Sequence, residues 1–140
     1  MLKDQTSMKL TIDALIDNDL TAHARATTLN KETLTYYVDK SSGIEVHDRY
    51  ISNLNEIVKF SNNIKTINIG HNQIYHEFIQ ETFIKLDKLI DLDFEEMSHN
   101  NGSMLDIYHV SYSSQMAENV VGQAITQESE NGSWWDIFWK

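Results

Sequence analysis

Apolar and polar positions along the chain follow two periods, and the change from one to the other marks out its elements. Residues 33–39 (TLTYYVD) alternate, with Leu34, Tyr36 and Val38 on one side and Thr35 and Tyr37 on the other. The residues are β-branched or aromatic, so the stretch predicts a strand. Ser41-Ser42-Gly43 ends it. Between Asp48 and Phe60 the apolar residues Ile51, Leu54, Ile57 and Val58 are spaced as one face of a helix. Residues 64–69 (IKTINI) alternate again and predict a second strand. From Asn72 to about Ile90 the apolar residues Ile74, Tyr75, Phe78, Ile79, Phe83, Leu86, Leu89 and Ile90 fall in steps of three and four. That is one stripe of a long helix. Asn72 is placed to cap it, and Lys85 and Lys88 lie toward its negative end.

Alternation then returns. Residues 91–97 (DLDFEEM) predict a strand entered with almost no loop, and Asn100-Asn101-Gly102 is a turn signal. Residues 104–112 (MLDIYHVSY), 120–126 (VVGQAIT) and 134–140 (WWDIFWK) predict three more strands, the last two joined by a polar turn over 128–133. The last strand carries Trp135, Ile137 and Trp139 on one face and Trp134, Asp136 and Phe138 on the other, so it is expected to be covered on both sides. The first 32 residues are polar and weakly patterned; Leu10, Ile12, Leu15 and Ile16 fit a short helix or an unstructured tail. The expected fold class is α+β, a long helix packed on a twisted mixed sheet of about five strands.

Three segments, taken in order, resemble the N-terminal subdomain of metzincin zinc proteases, most like the serralysin and matrixin group (peptidase M10 type). In FIKLDKLIDLDFEEMS a helix runs into a strand, with Leu92, Phe94, Glu95 and Met97 in the places of the family's "N-(hydrophobic)-D/T-F-x-E-V" phrase. Residues 101–107 (NGSMLDI) are similar to the "A-D-I" strand that follows. Gly122 and Ala124 stand where the family has its "G-x-A-Y" edge strand, and Asp136, Ile137 and Phe138 where it has "G-D-V-W-F/L". The likeness covers residues 64–140. The stretch between 33–39 and the long helix is longer than in the family. It is an insertion, or else 64–69 is the family's first strand and the earlier residues are extra.

The resemblance implies a zincin-like upper subdomain over 33–140, activity on peptide bonds, and a downstream helix bearing H-E-x-x-H-x-x-G-x-x-H. Its histidines would bind zinc and its glutamate would act as general base. No such motif occurs in these 140 residues. The expectation is therefore a metalloprotease-like subdomain with no catalytic residue and no metal ligand of its own, zinc being expected only with such a segment. The family pairs its substrate with the edge strand above the zinc cleft. By that likeness Val120, Val121, Gly122, Gln123, Ala124, Ile125 and Thr126 would bind substrate, and Gly122 and Ala124 would let a peptide approach closely. The implied partners are a peptide or protein substrate or a missing C-terminal subdomain, and the implied route is export without a classical signal peptide. Two alternatives stand beside it: a non-catalytic peptide- or protein-binding module using the same edge strand, and a small acidic interaction protein.

Composition narrows these readings. With 11 basic residues against 21 acidic ones the formal net charge is −10, which argues against a nucleic-acid partner. Such a charge attracts cations or basic peptides. Cysteine and proline are absent, so thiolate metal sites and disulfides are excluded. No stretch approaches the roughly 20 apolar residues needed to span a bilayer, and the first residues do not form a classical signal peptide. In His76-Glu77-Phe78-Ile79-Gln80 the second histidine of a zinc motif is replaced by Gln80, and the segment lies inside the amphipathic helix. His23, His47, His99 and His109 are scattered, with His109 inside a strand; all are read as solvated or locally bonded. Asp87, Asp91, Asp93, Glu95 and Glu96 are dense enough to suggest calcium, but lack the D-x-D-x-D-G spacing and read as a solvated rim. No nucleophile elbow and no phosphate-cradling glycine loop is present.

Overall fold

The computed structural model describes residues 32–53, 56–90 and 92–140. The short helix or tail expected in the first 32 residues lies outside this set, Glu32 excepted. Seven strands and one helix follow in the order β1 (Thr33–Val38), β2 (Gly43–Asn53), β3 (Glu56–Asn68), α1 (Gln73–Asp87), β4 (Asp93–Met97), β5 (Leu105–Ser113), β6 (Gly122–Ser129) and β7 (Gly132–Trp139).

β5 is the spine of the sheet. On one edge its first residues pair in parallel with β1, and β1 pairs in parallel with β4. Further along the same edge β5 pairs antiparallel with β3. Its other edge pairs in parallel with β7, whose far side carries the antiparallel β6. β2 closes an antiparallel hairpin on β3, with a register shift between His47 and Arg49.

This architecture corrects the expected fold class. The described residues are β-rich: seven strands stand among them where about five were expected, and the helix among them is short. The helix predicted from Asn72 to Ile90 begins as expected, with the Asn72 side chain accepting from the Tyr75 N–H at 2.9 Å, but stops at Asp87. None of its residues is buried. Ile79 and Phe83 reach the core, Phe83 stacking on Tyr36 with ring centres 4.2 Å apart. Ile74, Tyr75 and Phe78 of the same stripe stay exposed. The helix therefore covers only part of the sheet, not the whole of one face.

The helix expected between Asp48 and Phe60 is absent, and its place is taken by the β2–β3 hairpin. Its apolar spacing spanned too short a window to separate the two periods. The window instead pairs with itself as two strands, with Arg49 opposite Phe60 and Ile51 opposite Val58. The predicted strands at 33–39, 91–97 and 104–112 lie within a residue or two of β1, β4 and β5. β6 and β7 run closer together than expected, leaving only Glu130 and Asn131 between them.

Two apolar clusters lie on opposite faces of the sheet. Beneath the helix are Leu34, Tyr36, Val38, Met104 and Ile107, joined by Phe94, Ile137 and Trp139. On the other face Ile64 of the hairpin packs with Tyr108, Val110, Met116, Ile125 and Phe138. β7 is thus covered on both sides, as its two apolar faces predict.

The chain passes from β3 to the helix through Gly70, at φ +68°. A Cβ there would stand 2.8 Å from the carbonyl oxygens of both Lys40 and Ser41, so backbone strain and a backbone clash coincide. Gly102, at φ +89°, faces open space. We expect Gly70→Ala to cost about 3 kcal/mol in urea unfolding, clearly more than Gly102→Ala; equal costs would show that the close approach at Gly70 does not constrain the fold.

Candidate functional site

β2 does not extend the sheet flatly. The side chain of Gln127, on β6, donates from Nε2 to the Asp48 carbonyl at 3.0 Å and accepts the Tyr50 N–H on Oε1 at 2.8 Å. β6 lies two strands from β5 on the side away from β3, so these bonds require the hairpin to fold back over the sheet face. The space between is a cleft of about 1080 Å³. Its floor comes from β1, β5 and β7, one wall from β2, and its rim from the 98–103 loop and the turn between β6 and β7.

Two carboxylates lie in the floor. Asp106 of β5 and Asp136 of β7 are register partners on adjacent parallel strands and share a face. They are 3% and 4% exposed. Neighbouring strands run roughly 4.8 Å apart, so like charges here oppose each other at close range. Asp136 is well held: Gln127 donates to Oδ2 at 2.7 Å and the Trp134 indole to Oδ1 at 3.1 Å. Asp106 accepts from the Ser103 hydroxyl on Oδ1. Its Oδ2 has no hydrogen-bond partner among the described residues. Burial pushes the Asp106 carboxyl up to about 7, against the Ser103 hydrogen bond and with the help of the Asp136 charge. Burial pushes Asp136 up to about 6, opposed by its two donors. Tyr108, behind the pair, is raised by burial first and then by both charges.

One end of the cleft is closed by a network around Asp39. Tyr37 Oη and the Ser41 N–H donate to Asp39 Oδ1 at 3.3 and 3.2 Å, and Ser41 Oγ and Asn68 Nδ2 donate to Oδ2 at 2.8 and 3.1 Å. Thr66 Oγ1 donates to Asn68 Oδ1 at 2.6 Å, so it accepts from His47 Nε2 at 3.1 Å. That arrangement protonates Nε2, and burial pushes His47 down toward the neutral ring.

The predicted substrate-binding residues are placed as follows. Val120 is half-buried against the Ile64 cluster and Val121 is 77% exposed; both precede β6. Gly122, Gln123, Ala124, Ile125 and Thr126 open β6, and β7 is its only strand partner among the described residues. Gly122, Ala124 and Thr126 are exposed, Gln123 is half-buried and Ile125 is buried. None of these residues lines the cleft, although Ile125 is the register partner of Asp136, and the sequence reading did not join the carboxylate pair into a site. Its signal was present: Asp106-Ile107-Tyr108 and Asp136-Ile137-Phe138 each set an aspartate among apolar residues of a core strand.

The residues present do not fit a zinc centre. His76 Nε2 and Gln80 Nε2 grip the two oxygens of Glu96 at 2.5 and 2.7 Å, which is what the His-Glu segment of the helix does. Both ring nitrogens of His71 are in use. Nδ1 donates to the Asp39 carbonyl at 2.5 Å, and Nε2 accepts from the Trp139 indole at 2.9 Å. His109 stacks on Trp139 at 4.0 Å and is bonded to the Gly70 carbonyl. Among the described residues no group of three or more His, Asp or Glu side chains could hold a metal ion, calcium included. No helix among them is long and apolar enough to cross a membrane. No family model, no curated protein and no solved structure matches the chain.

Both floor carboxyls titrate above their ordinary 3.8. The folded state therefore binds protons more tightly than the unfolded state. The stability this lends is full below about pH 4 and is lost as pH rises through 6 and 7. We expect Asp106→Asn to flatten the fall in urea midpoint between pH 5 and pH 8 and to raise the midpoint at pH 8; the same fall in both proteins would overturn the assignment.

Proposed function

We propose that the protein is a binding module that holds an extended peptide along the free edge of β6. The observation that carries this reading is the orientation of the β6 backbone. The Lys140 N–H bonds to the Val121 carbonyl at 3.0 Å, which makes 121 and 140 a hydrogen-bonded pair in register with β6–β7. Alternation in an antiparallel pair then turns residues 123, 125 and 127 toward β7, and residues 122, 124, 126 and 128 outward. The outward positions are Gly122, Ala124, Thr126 and Glu128, three of them small. An incoming strand meets a row of unpaired backbone groups with little side-chain obstruction.

The metzincin resemblance supports the same edge, since that family presents substrate to the corresponding strand. The segments carrying the likeness fall on consecutive elements: the helix and β4, then β5, then β6 and β7. On this reading the chain is a relative of a protease's front part that binds peptides and does not cleave them. Casein mixed with the protein and zinc should show no chelator-sensitive turnover.

Ala124→Pro removes an outward N–H without removing a bond to β7. Against an array of randomised octapeptides, we expect it to weaken binding about tenfold, from one lost backbone hydrogen bond and the ring's intrusion at the edge. Thr126→Ala, which keeps its N–H, should leave binding nearly unchanged. An array that binds the proline variant as well as the parent would refute pairing at this edge.

A further inference from the structure

The cleft under the hairpin is lined by Asp39, Glu45, Asp48, Asp106, Glu130 and Asp136 and, among the described residues, by no lysine or arginine. Asp39 and Asp136 spend their oxygens on internal donors. Asp106 does not. It is 97% buried by its 3% exposure, lines the cleft, and keeps Oδ2 without a partner beside a second carboxylate. An ionised carboxylate whose free oxygen opens on a cleft is stabilised by a cation that donates to it. A cation seated there supplies that donor.

Two kinds of cation are candidates, and the lining separates them. A divalent metal needs several hard oxygen ligands converging on one point. Among the described residues no group of three such side chains converges. An organic cation needs one or two carboxylates for its N–H donors and aromatic faces for its charge. Tyr37, Tyr50, Tyr108 and Trp134 supply such rings around the Asp106–Asp136 floor, with Tyr50 and Trp134 in contact at 5.9 Å between ring centres. We propose that this cleft binds an organic cation, a primary ammonium or a guanidinium group, with Asp106 as its anchor. The site does not depend on peptide pairing at β6. The two are neighbours, because the turn joining β6 to β7 forms part of the cleft rim. The cation is therefore a lysine or arginine side chain of a peptide held at that edge, or a free amine.

The test uses the full chain at pH 8, with tryptophan fluorescence and amide chemical shifts as readouts. Pentylamine, agmatine, 1-pentanol and calcium chloride are titrated separately. We expect saturable changes with the two organic cations, at least about tenfold weaker response to pentanol, and about tenfold weaker cation binding in Asp106→Asn. Because pentanol and pentylamine are compared on the unaltered protein, the outcome does not rest on the variant folding. No saturable change with either cation overturns the proposal. So does equal binding of pentanol, unchanged affinity in a folded Asp106→Asn, or calcium binding tighter than both amines at the same residues. A lysine-centred octapeptide distinguishes the sources. If it binds more tightly than pentylamine to the parent but not to Ala124→Pro, the cation belongs to a peptide. If it binds no more tightly than pentylamine to the parent, the cation is a free amine and the β6 reading fails while the cleft stands.

Discussion

The structure depends on two strands sharing one edge of β5, and Asp39 holds the junction. β1 occupies that edge up to Ile107, where the Asp39 N–H donates to the Ile107 carbonyl at 2.9 Å. β3 takes over beyond it, the Ile69 N–H donating to the His109 carbonyl at 2.9 Å. At the handover the Asp39 carbonyl receives His71 from its backbone at 3.2 Å and from its ring, while the Asp39 carboxylate holds Asn68. Tyr37 and Ser41 bind this carboxylate locally, and Asn68 is the partner that the topology brings there. Gly70 is the other half of the junction, where the chain passes against the 40–41 backbone with no room for a side chain.

The handover explains why the molecule has a cleft. A strand that pairs along the whole of β5 would continue the sheet. β3 pairs with only its last part, so the hairpin is free to leave the sheet plane and lean across its face. Apolar packing of Ile64 on Tyr108 and Phe138 and the bonds of Gln127 to Asp48 and Tyr50 hold the leaning hairpin at neighbouring positions, since His47 is the register partner of Ile64. Beside these anchors the floor stays polar. Hydrophobic burial supplies most of the stability and is concentrated in the two clusters. The carboxylate pair opposes it, the usual pattern where a site is built into a core strand.

Strands with strict alternation were legible in the sequence because each has one apolar face to bury. Leu34, Tyr36 and Val38 fix β1, and Trp135, Ile137 and Trp139 against Trp134 and Phe138 fix β7 with both its covered sides. Of the hairpin only the end of β3 was legible, as the strand expected at 64–69; β2 was not, since Ile44 and Val46 point their apolar side chains to solvent. That reversal hides the strand from any rule that equates apolar with buried. The length of the helix was misread for the related reason that Leu89 and Ile90 extend the stripe without being covered. The carboxylate site was invisible as a site because its members lie 30 positions apart and meet only through the β5–β7 register.

An open edge such as that of β6 invites pairing with other copies of the same chain. Two features of this chain oppose that outcome without closing the edge. Glu128 and Glu130 stand at its far end, and the formal net charge of −10 makes one copy repel another. Both effects spare a partner of opposite charge, which the same field draws in and concentrates at the acidic cleft beside the strand. Charge therefore works against pairing between copies of the chain and in favour of a partner of opposite sign.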